Sequence, residues 1–350
     1  MPSLFMIDIE STQISAEEIE LLKHPQVGAV LLFSRNFHNS DQLKDLVFTI
    51  HQTNSELFIA VDHEGGYVQR FQRHGFRALP AARIYGDTYD LNPDAGLELA
   101  RNYGRVMAQD LINCGIHLSL SPVLDLHGNC PVIGQLDRAF HADPNVLTQL
   151  AEAFIAGMNS VGMPAIGKHY PGHGSVLLDS HIDKPICDVS WEQLCNEDML
   201  PFLTLIQKNA LAAIMPAYVT YSQIDPTQPA GYSSIWLNKI LRQQQGFTGL
   251  ILSDCLSMRG ADAGDLLLRA ELAVRAGCDM LIVSHQPRNV LYKLIDDTSI
   301  QQNDESVDRI VLFRNLLPKL TPVSIHEKVR VNQNLEDKLA CNDVNRTLQV

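Results

Sequence analysis

Residues 249–254 read Gly-Leu-Ile-Leu-Ser-Asp, an apolar run that stops on a carboxylate. A strand with one wet face alternates apolar and polar side chains. A run without alternation is how a strand buried on both faces of a parallel sheet reads. Seven similar runs occur at 4–9, 27–33, 57–62, 117–126, 163–170, 212–218 and 279–284. Between them lie stretches whose apolar residues recur on one side of a helix: 16–22, 41–51, 93–113, 146–161, 191–208, 234–244 and 265–276. Ser15 and Ser40 are expected as N-caps of the first two, and Gly277 as the C-cap of the last. Eight buried strands alternating with helices predict an α/β fold, a single (β/α)8 TIM barrel with its active site at the C-terminal ends of the strands. A doubly wound open sheet is the competing topology. It calls for a Gly-rich phosphate turn after the first strand, and Asp8-Ile9-Glu10-Ser11-Thr12 offers none.

The chain of 350 residues is 45% hydrophobic and 19% charged, ordinary for one globular domain. The barrel is expected over 1–320, and the polar, aperiodic stretch 321–350 reads as a surface tail. A formal charge of -13 repels nucleic-acid phosphate, so nucleic acid is not an expected partner. Seven scattered cysteines without CxxC spacing argue against a disulfide framework or a zinc knuckle. The run Met1–Asp8 meets an acidic residue too soon for a signal peptide, and no apolar run reaches the length of a membrane span. The expectations are a cytoplasmic monomer, no membrane contact and a small-molecule substrate.

Chemistry-bearing residues crowd the predicted strand ends: Asp62, Asp125, Lys168-His169, Tyr218, Asp254 and Ser284-His285. In a barrel those ends face one mouth. The densest stretch, 168–181, reads KHYPGHGSVLLDSH. In extended chain, residues two apart point the same way, so Asp179 is placed to hydrogen-bond one nitrogen of His181 and to stabilise its imidazolium. That makes His181 a candidate proton donor. Three histidines in one loop also suit a metal, although His169 and His173 flank a Pro-Gly turn rather than lying one helical turn apart. Asp254 is placed to attack an anomeric carbon, or alternatively to accept hydrogen bonds or cap a helix starting near 256. Asp62 and Arg70, around the paired glycines of DHEGGYVQR (62–70), suit sugar hydroxyls or a structural ion pair. Arg138 stands in the loop after the fourth strand.

Taken together, these blocks resemble the bacterial cytoplasmic β-N-acetylhexosaminidases of glycoside hydrolase family 3. VDHEGGYVQRF (61–71) is similar to the family's VDxEGGxVxRF, and KHYPGHGSVLLDSH matches KHFPGHGxxxxDSH with Tyr for Phe. IMPAYVTYSQIDP (214–226), GFTGLILSDCLSM (246–258) and VGAVLLFSRNF (27–37) extend the likeness over roughly 4–285. The resemblance implies Asp254 as nucleophile, His181 as acid/base and Asp179 as the residue that orients it. It implies Asp62, Arg70, Arg138, Lys168 and His169 as holders of a terminal N-acetylglucosamine. Retention through a covalent glycosyl-enzyme, without metal or cofactor, and a place in peptidoglycan recycling follow from the same likeness. Cys255 stands where the family commonly has a second Asp, His63 where Gln is common, Tyr67 where Arg is, and Tyr218 where His is. These departures bear on the pocket edge or the aglycone rather than on the proposed chemistry. Other readings are phosphorolysis by the same residues, attack by the substrate's acetamido group, which needs a carboxylate pair that Asp254-Cys255 does not supply, and a sugar-binding protein without turnover.

Overall fold

A computed structural model describes residues 3–320 apart from Thr298. The expected tail, 321–350, lies outside the described residues. Eight parallel strands form the core: β1 (Phe5–Asp8), β2 (Val27–Leu32), β3 (Phe58–Val61), β4 (Leu118–Ser119), β5 (Ile166–Tyr170), β6 (Ala213–Pro216), β7 (Leu250–Cys255) and β8 (Met280–Val283). Their order is β4-β3-β2-β1-β8-β7-β6-β5, with neighbours parallel throughout. The chain after β4 joins the two ends of this order. The Ile166 amide donates to the Ser121 carbonyl at 2.9 Å, and the Leu124 amide to that of Lys168 at 2.7 Å. The result is the expected (β/α)8 barrel.

Strand alternation explains why the sequence shows no polar period. Met6, Ala29, Leu31, Phe58, Ala60, Ile166, Met215, Leu252 and Ile282 pack together as one cluster. Their neighbours in the chain, Phe5, Ile7, Val30, Leu32, Ile59, Ile214, Ile251 and Leu281, belong to the other cluster, which they share with the helices. Each strand is therefore apolar on both faces. The regular ladder of β4 is much shorter than the run 117–126 because Pro122 has no N–H to donate; pairing resumes as an isolated bridge between Val123 and Lys168.

The helices are α1 (Ala16–Leu22), α2 (Ser40–Thr53), α3 (Ala82–Leu91), α4 (Pro93–Asn113), α5 (Pro144–Asn159), α6 (Trp191–Asn196), α7 (Leu200–Gln207), α8 (Ile235–Gln244), α9 (Leu266–Ala276), α10 (Arg288–Ile295) and α11 (Asp304–Leu316). Ser15 caps α1 with a full capping box, the Glu18 carboxylate accepting the Ser15 amide at 2.9 Å. Gly277 ends α9 at φ 118°, a left-handed conformation that glycine adopts without strain. The cap of α2 is Asn39 rather than Ser40: its carboxamide oxygen takes the amides of Asp41 and Gln42. The single helix expected over 191–208 is two, broken at Glu197 and restarted with Pro201 in the first turn of α7. On α11, Ile310 and Phe313 join the cluster that holds Met6, Phe58 and Leu252, with the Phe58 and Phe313 rings 5.8 Å apart. This helix therefore packs against the inward-facing side chains of the strands.

Candidate active site

The C-terminal ends of the strands surround a cavity of about 600 Å3. Its lining includes Asp62, Arg70, Arg138, Lys168, His169, Asp179, His181 and Asp254. All eight candidate residues, drawn from 62 to 254 in the chain, are thus brought to one place. Inward-facing Leu31, Leu120, Met215 and Ile282 also line it, so the polar groups stand over an apolar floor.

On the side formed by β3, β4 and β5 lies a buried charge cluster. Lys168 Nζ donates to Asp62 Oδ1 at 2.9 Å and to Glu64 Oε1 at 2.7 Å. Arg138 grips Glu64 with both arms, Nε to Oε2 and Nη2 to Oε1, each at 2.8 Å, and its Nη1 reaches the Val132 carbonyl at 2.8 Å. Arg70 adds a longer contact to Asp62 at 3.4 Å. Burial alone raises the Asp62 carboxyl, but the Lys168 and Arg70 charges outweigh it and hold the group well below the usual carboxylate range. Burial and its neighbours compete at Glu64 too, where Arg138 and Lys168 win and bring it down to about 2. Burial pulls the Lys168 ammonium down, but Asp62 and Glu64 more than offset that, so it stays charged. The cluster is fixed in its ionised form. It presents preset donors and acceptors, as recognition of neutral polyols requires.

Glu64 lies in a hairpin, His63–Gly65 against Val68–Gln69, turned by two glycines at φ 108° and 53°. A Cβ on Gly65 would meet the Pro80 carbonyl oxygen at 2.4 Å, so only glycine fits. Sequence reasoning used Asp62 and Arg70 from this block and passed over Glu64, the residue that binds both Lys168 and Arg138. The available signal is a second carboxylate two positions from Asp62, set directly before the paired glycines.

The three histidines of the 168–181 loop go to three different places. His169 Nδ1 meets the fully buried Asp125 at 2.7 Å, and Asp125 also accepts the amides of His169 and His173. His173 turns inward between Cys130 and Ser180. His181 faces the cavity with more than half its side chain exposed, its Nδ1 2.7 Å from Asp179 Oδ1, which also accepts the His181 amide at 2.8 Å. The expected pairing is formed, and Nε2 lies on the opposite edge of the ring. Among the described residues no three His, Cys, Asp or Glu side chains are arranged to hold a metal ion.

Asp254 lies in β7 and borders the cavity. No helix starts at 256; residues 256–261 form turns and α9 begins at Leu266, so the helix-cap reading of Asp254 does not hold. Of its carboxylate oxygens, Oδ1 accepts the Cys255 amide at 2.7 Å. Tyr218, expected at the mouth, is buried instead. Its hydroxyl reaches the Asp254 carbonyl at 3.4 Å, and its ring packs 4.9 Å from that of Tyr232. His63 is also buried, between Phe71 and Phe76, and burial pushes it down to about 3, so it is a neutral packing residue. Tyr67 and Cys255 do border the cavity, Tyr67 being 72% exposed and the Cys255 thiol 3.1 Å from Ser284 Oγ.

The sequence matches the family described as glycosyl hydrolase family 3 N terminal domain over residues 2–312. It is 45% identical over 308 residues to a beta-hexosaminidase of Actinobacillus pleuropneumoniae serotype 5b (strain L20), covering 87% of this chain and 88% of that protein. It is 45% identical over 322 residues to a beta-hexosaminidase of Bordetella avium (strain 197N), covering 91% and 89%. Among solved structures, NagZ from Neisseria gonorrhoeae in complex with N-trifluoroacetyl-D-glucosamine aligns with a TM-score of 0.82 at 42% identity, covering 89% of each chain. Native NagZ from the same organism aligns at 0.84 and 40% identity, covering 93% of this chain and 92% of the other.

Proposed function

The chain belongs to glycoside hydrolase family 3 and is a β-N-acetylhexosaminidase, and from that premise we propose that it is a retaining exo-enzyme that removes terminal β-linked N-acetylglucosamine by way of a covalent glycosyl-Asp254. The observation that carries this reading is that Asp254 and the hydrogen-bonded Asp179–His181 pair line the same cavity as Asp62, Lys168 and Arg138, the last two held together by Glu64. Asp62, Lys168, Arg138, Arg70 and His169 hold the sugar's hydroxyls and turn C1 toward Asp254. Imidazolium His181, stabilised by Asp179, protonates the departing glycosidic oxygen while an Asp254 oxygen forms the new bond to C1. Neutral His181 then takes a proton from water, whose oxygen attacks C1 and releases Asp254. With a histidine as acid/base, the spacing rule for carboxylate pairs does not apply.

The substrate we propose is N-acetylglucosamine linked to 1,6-anhydro-N-acetylmuramic acid, with or without its peptide, generated when peptidoglycan is recycled in the cytoplasm. Among the described residues no helix is long and apolar enough to cross a membrane. A β-N-acetylhexosaminidase acting on a relative of its own N-acylated sugar fits the bound N-trifluoroacetyl-D-glucosamine of the Neisseria neighbour. The experiment is to incubate the protein with that disaccharide and with N,N′-diacetylchitobiose, with and without phosphate, and to identify the products by mass spectrometry. Free N-acetylglucosamine, released from the anhydro-muramic substrate independently of phosphate, is the expected result. N-acetylglucosamine 1-phosphate would establish phosphorolysis instead, and preference for chitobiose would remove the recycling role.

A further inference from the structure

Asp179 and His181 line the cavity, while Ser180 between them is 3% exposed and turned into the body of the protein. The segment is a turn rather than the extended chain expected from the sequence: the Ile182 and Asp183 amides both donate to the Asp179 carbonyl, at 3.1 and 2.8 Å. The Ser180 hydroxyl lies 3.0 Å from His173 Nε2. The other ring nitrogen of His173, Nδ1, lies 3.4 Å from Cys130 Sγ. The His173 amide is fixed by Asp125, 2.7 Å away, the same carboxylate that holds His169.

Burial holds His173 below the usual imidazole range, so one ring nitrogen is a donor and the other an acceptor. Burial pushes the Cys130 thiol up to about 11, so it keeps its proton. The two contacts are coupled through the ring: with Sγ–H donating to Nδ1, Nε2–H donates to Ser180 Oγ, and in the other tautomer the Ser180 hydroxyl donates to Nε2. On its other side Ser180 is held by main chain: the Gly260 amide donates to the Ser180 carbonyl at 2.8 Å and the Arg259 amide to that of His181 at 3.2 Å. Residues 259 and 260 follow the strand that carries Asp254. Ser180 thus ties the loop bearing Asp179 and His181, through His173, to Asp125 and Cys130 in the chain after β4, and to the segment beyond the strand that carries Asp254.

We propose that Ser180, held by His173, is a positioning residue that seats the Asp179–His181 pair opposite Asp254. This rests on the acid/base reading of His181 given above. Ser180 touches no reacting atom. Its hydroxyl sets where the imidazole stands, and a displacement of about 1 Å in a catalytic group costs on the order of 10²-fold in rate.

The test compares Ser180→Ala, His181→Ala and the parent protein on aryl β-N-acetylglucosaminides whose leaving groups span a wide range of acidity. The quantity read is kcat/KM, which reports the first bond cleavage. A poor leaving group needs the proton, and 2,4-dinitrophenolate does not. Ser180→Ala is expected to lose about 10²-fold with a p-methoxyphenyl leaving group and no more than about threefold with 2,4-dinitrophenyl, reproducing at reduced amplitude the steep slope of His181→Ala. Ser180→Thr, which keeps the hydroxyl, should restore the shallow parent slope. A uniform loss across the series for Ser180→Ala, with His181→Ala steep, would make Ser180 merely structural and overturn the proposal. A flat series for His181→Ala would overturn the acid/base reading itself, and this proposal with it. Should Ser180→Ala fail to fold, Cys130→Ala loosens the same arm from its far end. An unsteepened slope there also contradicts the proposal.

Discussion

At Glu64 two cations share one carboxylate, and both are buried with it. Removing the charge leaves Lys168 and Arg138 with Asp62 as the remaining carboxylate of the cluster, and breaking a buried pair commonly costs about 3–5 kcal/mol. Glu64→Gln should therefore lower the stability to chemical denaturation at pH 7 by roughly that amount. The pH dependence has a definite sign. The folded carboxyl sits at about 2, below its ordinary 4.5, so its stabilising contribution is complete above pH 4.5 and disappears as the pH falls toward 2. The parent protein should lose stability steeply across that window, and Glu64→Gln should lose markedly less. Equal slopes in urea titrations at several pH values would contradict the assignment. Glu64 also marks a limit of reading residues one at a time. Asp62 and Lys168 are recognisable as charges at strand ends and Arg138 as a loop charge, but Glu64, the partner of Lys168 and Arg138, sits in a hairpin that no periodicity announces. Tyr218 errs in the opposite direction. A polar residue at a strand end reads as a pocket residue, and its ring is buried against Tyr232 instead.

The loop between β5 and α6 carries the proposed acid/base pair, and it packs closely on the chain that follows β4. A Cβ on Gly174 would stand 2.3 Å from the Leu126 carbonyl oxygen, a backbone atom with little room to yield. Gly174→Ala should push the loop off its seat and cost about 1–3 kcal/mol of stability. Turnover should fall by on the order of 10²-fold, because the strain falls on the loop that places His181. Unchanged kcat in a folded Gly174→Ala protein would show that the close approach is unrelated to the chemistry. At this scale the eight strands and most helices were legible because burial on both faces leaves unbroken apolar runs, and 16–22 and 93–113 match their helices end for end. What escaped was local. Pro201 and the break at Glu197 split an apolar stripe that reads as continuous. Helices α3, α10 and α11 are not anticipated: α3 follows a turn-rich stretch, α10 is only eight residues long, and α11 buries only Ser306, Ile310 and Phe313, too few to stand out as a stripe.

For the molecule as a whole, the barrel is what turns scattered residues into a site. Asp62, Arg138, Asp254 and the 168–181 stretch that holds Lys168 and His181 lie far apart in the chain, and the closure of β4 onto β5 and the parallel order of the strands bring them around one cavity. This is why the site could be anticipated once eight strand ends were counted, whereas the hydrogen bonds inside it could not. The central claim is that this cavity works through a covalent bond between the sugar and Asp254. The most direct measurement is to incubate the intact protein with a slow fluorinated N-acetylglucosaminide carrying an activated leaving group, weigh it, and map the label by peptide mass spectrometry. The account predicts one added sugar on the peptide containing Asp254 and none on the Asp254→Asn protein. A sugar attached to another residue, or turnover of the reagent with no attached sugar at any time, would contradict it.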